Sequence, residues 1–142
     1  MSEQKKTSVP KPLPVLEGFT KAFYAGCARG ELLFQVCGGC NRWRHVPREL
    51  CAECGSWEWE WKASSGRGRV FTWTVIARAL HPAFADAVPL AAVVVELEEG
   101  VRLLSHVSDC APDALEMEMP VEVVFEAASD EVTLPLFRRA AV

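Results

Sequence analysis

The sequence predicts a mainly β protein: one N-terminal helix, a small lobe organised by a metal ion, and a C-terminal barrel of five strands. Three observations carry this reading. Two Cys-x-x-Cys steps, Cys37–Cys40 and Cys51–Cys54, are separated by ten residues. Apolar residues recur at three- and four-residue steps near the N-terminus, through Phe19, Phe23 and Cys27. Beyond Arg69 the apolar runs are short, β-branched and divided by turn residues, with no helical period.

Taken in order, residues 1–14 read as a flexible arm. They carry Lys5, Lys6 and Lys11 among prolines and contain no apolar stretch, so they do not form a secretory signal. Residues 15–31 hold the helix, spanning Glu17 to Gly30, with Gly30 suited to end it. Residues 32–62 form the metal lobe. Leu32–Val36 is a short apolar strand that delivers the first cysteine, and Trp43, Val46 and Pro47 lie between the two cysteine pairs. In Trp57-Glu58-Trp59-Glu60-Trp61 the alternation places three indoles on one strand face.

The barrel occupies residues 63–142. After a polar connector, Ala63–Gly68, strands are expected at Arg69–Arg78, Val88–Leu97, Val101–Val107, Met119–Glu126 and Val132–Phe137. Val88–Leu97 is apolar at both parities, which predicts a strand covered on both faces. Glu98-Glu99-Gly100 makes a hairpin turn, and Ser108–Glu118 has room for a short helical turn. Five strands of this kind close as an OB-like Greek-key barrel or as an SH3-like form.

The cysteine quartet carries the strongest chemistry. Each Cys-x-x-Cys step lets two sulfurs converge while intervening amides stabilise the thiolates. Two steps supply four soft anionic ligands, Cys37, Cys40, Cys51 and Cys54, the tetrahedral demand of structural Zn2+; iron in a rubredoxin-like centre is the less favoured occupant. Asn41 and Gly55 follow the two pairs, and both tolerate the left-handed backbone of a tight turn. A site closed by four thiolates has no open position for water, so the metal folds the lobe and does not catalyse. With no export signal the thiols belong in a reducing compartment, by default the cytoplasm. Cys27 and Cys110 read as buried, inert thiols.

Half of the 142 residues are hydrophobic, and the longest apolar run, Ala87–Val95, is too short to span a membrane. The net charge is −4, unevenly spread. Seven basic residues face four acidic ones between Cys37 and His81, whereas Arg102 alone opposes twelve acidic residues between Pro82 and Glu131. Duplex binding needs a dominant basic face, which this acidity opposes. The local basic patch suits a smaller anion, such as a nucleotide phosphate. The three histidines, His45, His81 and His106, show no local pairing with a nucleophile or carboxylate, and Gly66-Arg67-Gly68 is too short for a phosphate loop.

The succession GELLFQVCGGC, VPRELCAECGS, GRGRVFTWTVIAR, PLAAVVVELEEG, RLLSHV, MPVEVVFE and LPLF resembles the DUF35 family across Pro14–Phe137. That resemblance implies a rubredoxin-like zinc ribbon fused to an OB fold, with Cys37, Cys40, Cys51 and Cys54 as the metal ligands. One departure is Glu118, where the family often has glycine before the Met-Pro-Val step. The resemblance implies an accessory role beside thiolase-fold enzymes, including thiolases, acyltransferases and lipid-transfer-protein-like aldolases of steroid side-chain breakdown. The partner would supply the nucleophile or base in a hetero-oligomer, while the OB domain helps hold the acyl-CoA. Arg78 with His81 is assigned to the CoA phosphates and Arg67 with Arg69 to partner docking. The chain alone is expected to turn over no substrate. Two other classes stay open: a nucleic-acid-binding module, which the acidity disfavours, and a purely structural adaptor.

Overall fold

One helix, α1 (Gly18–Ala28), precedes eight strands in a computed structural model that describes residues 9–141. The strands are β1 (Leu33–Cys37), β2 (Trp43–Arg44), β3 (Trp59–Ala63), β4 (Arg67–Ile76), β5 (Leu90–Leu97), β6 (Arg102–Ser105), β7 (Pro120–Ala127) and β8 (Thr133–Arg139). They form a three-stranded sheet ordered β2-β1-β3 and a five-stranded sheet ordered β6-β5-β4-β7-β8. Lys5 and Lys6 of the expected arm lie outside the described residues. No helix among the described residues is long and apolar enough to cross a membrane.

The helix buries Phe23, Gly26 and Cys27, the face that its periodicity marks. It stops at Gly30, whose φ of 81° is left-handed. There Gly30 N–H donates to Cys27 O at 3.0 Å and Glu31 N–H to Gly26 O at 2.9 Å, so the last carbonyls are capped as the chain turns into β1. All five residues of β1 are buried, including Gln35. β3 pairs with it in register from Leu33↔Ala63 to Cys37↔Trp59. Trp59 and Trp61 share a face, with ring centres 5.3 Å apart, and Phe19 of the helix meets them edge-on at 5.5 and 6.5 Å. The expected face of three indoles is therefore two: Trp57 precedes the strand and is 68% exposed.

The five-stranded sheet curls into an OB fold. β4 and β5 pair from Gly68↔Leu97 to Ile76↔Leu90, with a bulge at Phe71, and Val107 meets Phe137 in a parallel bridge that closes the seam between the β6 and β8 sides. The expected hairpin turn is present at Gly100, and the Ser108–Glu118 segment contains a single 3-10 turn, Pro112–Ala114. Burial along β5 alternates strictly: Ala91, Val93, Val95 and Leu97 point inward, while Leu90, Ala92, Val94 and Glu96 are half-buried. The expectation of a strand covered on both faces is corrected by this pattern. An antiparallel sheet closed on itself buries one face of each strand and leaves the other only partly covered, as along β5. Phe34, Val70, Val93, Val95, Val121 and Phe137 form the shared core, and Phe23 and Cys27 of the helix complete it.

The join between the two sheets is short. Only Ser64–Gly66 separates β3 from β4. Ser64 Oγ donates to the Glu99 carboxylate, Ser65 Oγ to Glu98 at 2.8 Å, and Glu98 N–H to Arg67 O at 2.9 Å. The β5–β6 hairpin thus clasps the connector. The expected connector Ala63–Gly68 is shorter than its composition suggests, because both strands extend into it.

Candidate metal centre

Cys37 ends β1, Cys40 follows in the turn to β2, and Cys51 and Cys54 occupy a second turn before β3. Their four Sγ atoms lie within 4.8 Å of one another, and all four are free thiols. The two turns repeat one hydrogen-bond pattern. Cys37 N–H donates to Arg42 O and Asn41 N–H to Cys37 O; Cys51 N–H donates to Ser56 O and Gly55 N–H to Cys51 O, all at 2.9–3.0 Å. Asn41 at φ 61° and Gly55 at φ 76° take the left-handed conformation that each turn requires.

Electrostatics inside the quartet favour a cation. Backbone N–H groups at Cys40 and Gly39 pull the Cys37 thiol down to about 6, and those of Cys54 and Glu53 lower Cys51. Against the opposing pull of the Ser56 amide, the proximity of Cys37 pushes Cys54 up to about 12. Two of the sulfurs are thus shifted toward the thiolate form that a metal ligates and one away from it. Four converging thiolates fit a tetrahedral, thiophilic divalent ion.

The other expected site residues are dispersed along the barrel. Arg67 and Arg69 sit at the start of β4, beside a cavity of about 520 Å3 also lined by Glu96, Glu98 and Glu118. Arg69 is engaged by Glu96 at 2.9 Å and Glu118 at 3.7 Å; Arg67 makes no ion pair among the described residues. Arg78 lies two residues beyond the other end of β4. Arg67 opens β4 and Arg78 lies past its far end, so the two pairs sit toward opposite ends of one ten-residue strand. His81 Nδ1 accepts from Ala83 N–H at 3.1 Å and caps the Pro82–Phe84 turn, leaving Nε2 as its free nitrogen. Cys27 is buried and its thiol is pushed up to about 11 by desolvation, in keeping with an inert core residue. His106 directs Nδ1 at Ala91 O, 3.2 Å away.

Sequence reasoning missed two features. A cleft of about 580 Å3 opens between the helix, the His45–Pro47 turn and the β6/β8 seam. Gln35, the one buried polar side chain among the described residues, is also the hub of the metal lobe: its Oε1 accepts from Arg44 Nε at 2.7 Å and from Arg48 N–H at 2.8 Å. The departure at Glu118 does not remove the turn. Glu118 adopts φ 63°, the left-handed geometry that glycine takes without strain, and Glu118 N–H donates to Val70 O at 2.8 Å.

Comparison with known proteins follows this division of the chain. Residues 25–60 match the family model described as the ChsH2 rubredoxin-like zinc ribbon domain, and residues 61–126 match the ChsH2 C-terminal OB-fold domain. A protein of Thermomonospora curvata named probable enoyl-CoA hydratase alpha subunit is 34% identical over 98% of this chain, which spans 43% of that protein's length. A DUF35 domain-containing scaffold protein of Methanothermobacter thermautotrophicus is 32% identical over 63% of this chain and 82% of its own. Among solved structures, a chain of the Ltp2-ChsH2(DUF35) aldolase superposes with a TM-score of 0.81 at 34% identity, covering 91% of this chain and all of that one.

Proposed function

Because the chain belongs to the DUF35 family, with a ChsH2-type zinc ribbon followed by a ChsH2-type OB fold, we propose that it is a non-catalytic accessory subunit of a thiolase-fold enzyme acting on acyl-CoA. The observation that carries this reading is the likeness, over the whole of the matched chain, to a component of an aldolase assembly. The partner supplies the reacting groups for aldol cleavage or acyl transfer. Retro-aldol cleavage of a steroid side-chain thioester is the narrower form of the reading. This chain supplies a folded surface and part of the thioester site, with zinc as the ion that organises Cys37, Cys40, Cys51 and Cys54. Arg78 and the free Nε2 of His81 engage CoA phosphates at one end of β4, while Arg67 and Arg69 meet the partner at the other.

The name of the methanogen relative favours a second reading, a scaffold that contacts no ligand. Calorimetry with CoA separates the two. The accessory reading expects CoA to bind the complex with the thiolase-fold partner more tightly than the partner alone. A scaffold leaves that affinity unchanged while still co-purifying with the partner. Failure to co-purify with any thiolase-fold enzyme from the native host removes both.

A further inference from the structure

In the metal lobe a guanidinium is held without an anion to balance it. Arg44 stands opposite Gln35 where β2 pairs with β1. Its Nε donates to Gln35 Oε1 and its Nη2 to Arg48 O, both at 2.7 Å, so one whole edge of the group is fixed. The remaining nitrogen, Nη1, is enclosed without a hydrogen-bond partner, as is Nε2 of Gln35. Arg44 forms no ion pair among the described residues, whereas Arg42, on the same cavity, is paired with Glu53. Enclosing an uncompensated charge is costly, and arginine cannot escape the cost by losing its proton.

The position of this pair indicates what compensates it. Gln35 and Cys37 are two residues apart on β1, so their side chains leave the same face of the strand. Arg44 also lines a cavity of about 160 Å3 together with Cys51, Arg42, Arg48 and Glu53. A divalent ion on four thiolates leaves a centre of charge −2. Around that cavity Arg42, Arg44 and Arg48 bring three positive charges, and Glu53, which is paired with Arg42 at 3.4 Å, brings one negative. The walls and a divalent metal centre are therefore neutral together. With the metal and its thiolates removed, two positive charges stand unbalanced.

We propose that Arg44, locked by Gln35 and Arg48, is the counter-charge of the metal–thiolate centre and sets how tightly the lobe holds its divalent ion. It is a positioning residue for charge and touches neither the metal nor a substrate. Gln35 orients it through the bond from Arg44 Nε to Gln35 Oε1.

The test is zinc transfer from the full chain to a chromophoric chelator at neutral pH, with far-ultraviolet circular dichroism confirming the fold of each variant. Outer-sphere partners of metal ligands are typically worth 10–100-fold in metal affinity, so Arg44→Gln should weaken zinc binding by about tenfold or more. Arg44→Lys keeps the charge and loses the fork, and should retain most of the affinity. If Arg44 served only to tie Gln35 to Arg48 O, the lysine and glutamine variants would lose zinc equally, and that result overturns the proposal. Glu53→Gln offers a second test on an exposed side chain that does not endanger folding. Removing that negative charge should tighten zinc binding by about twofold or more at low ionic strength, because the charge acts through solvent. Unchanged or weaker binding in Glu53→Gln also overturns the assignment.

Discussion

Cys37 and Cys51 are held by the same backbone device: each donates its N–H to the carbonyl five residues on and accepts at its own carbonyl from the N–H four residues on. The two turns present the sulfurs of Cys37 and Cys51, and of their partners Cys40 and Cys54, to one point. A metal held by all four sulfurs would couple the two turns, so loss of one ligand should weaken both.

The first prediction is one zinc ion per chain, released only with unfolding of the lobe. Structural zinc contributes about 10 kcal/mol or more in small modules, more than a two-residue β2 and a five-residue β1 can replace. Cys51→Ser should be purified without metal, with the fluorescence of Trp59 and Trp61 shifted to the red as they leave Phe19. Elemental analysis that finds neither zinc nor iron in freshly reduced wild-type protein would refute the assignment.

Catalysis should require the partner. The isolated chain is expected to turn over no acyl-CoA, and the reconstituted complex to cleave or transfer. Cys27→Ala and Cys110→Ala should leave the complex's kcat within about twofold of wild type, because both thiols are buried and Cys27 is held protonated. Turnover by the chain alone, in preparations shown by mass spectrometry to lack the partner, contradicts the accessory role.

Arg78→Ala should raise the complex's KM for a CoA thioester by about tenfold, since a charge-assisted phosphate contact contributes about 1.5–3 kcal/mol. Arg78 lies beyond the last residue of β4 and carries no internal ion pair among the described residues, so the variant should fold normally. Normal assembly combined with wild-type kinetics would remove Arg78 from the ligand site.

Acid should loosen the barrel through Glu96. Hydrogen bonds from Arg69 and then Arg102 hold its carboxyl below the usual carboxylate value of 4.5. A group whose folded-state pKa is depressed stabilises fully above its unfolded value, and that contribution is lost as pH falls through the folded one. Glu96→Gln should therefore reduce stability near neutrality and flatten its decline below pH 4.5. Denaturant midpoints measured from pH 7 to pH 3 check this. A decline as steep as in wild type would show that other carboxylates control the acid response.

What was legible in the sequence was local. The quartet needs only two short motifs, and the barrel strands announce themselves as short β-branched runs bounded by turn residues, although the alternation of burial along β5 is masked there because Leu90, Ala92 and Val94 on the outer face are apolar too. Features that depend on pairing distant segments were hidden. Gln35 lies in an apolar run and reads as an unremarkable strand residue; its importance arises from the Gln35↔Arg44 register across β1 and β2, and a two-residue strand has no period to detect. Trp57 obeys the same alternation as Trp59 and Trp61, yet the strand begins after it because β1 ends at Cys37, opposite Trp59. Glu118 shows the converse: a side chain poorly suited to left-handed backbone is kept there by Val70 O and by Arg69 at 3.7 Å.

The serine–glutamate clasp between the connector and the β5–β6 hairpin has a mechanical consequence. A three-residue joint would ordinarily act as a swivel, but here its two serine hydroxyls and the Gly66 carbonyl are engaged by the barrel itself. The metal lobe and the far end of β4 thus behave as two points on one ruler, with a spacing set inside this chain. A partner that grips the lobe would find Arg78 and His81 presented at a fixed reach, so lengthening the joint by a few flexible residues should uncouple the grip from the reach while leaving each half folded.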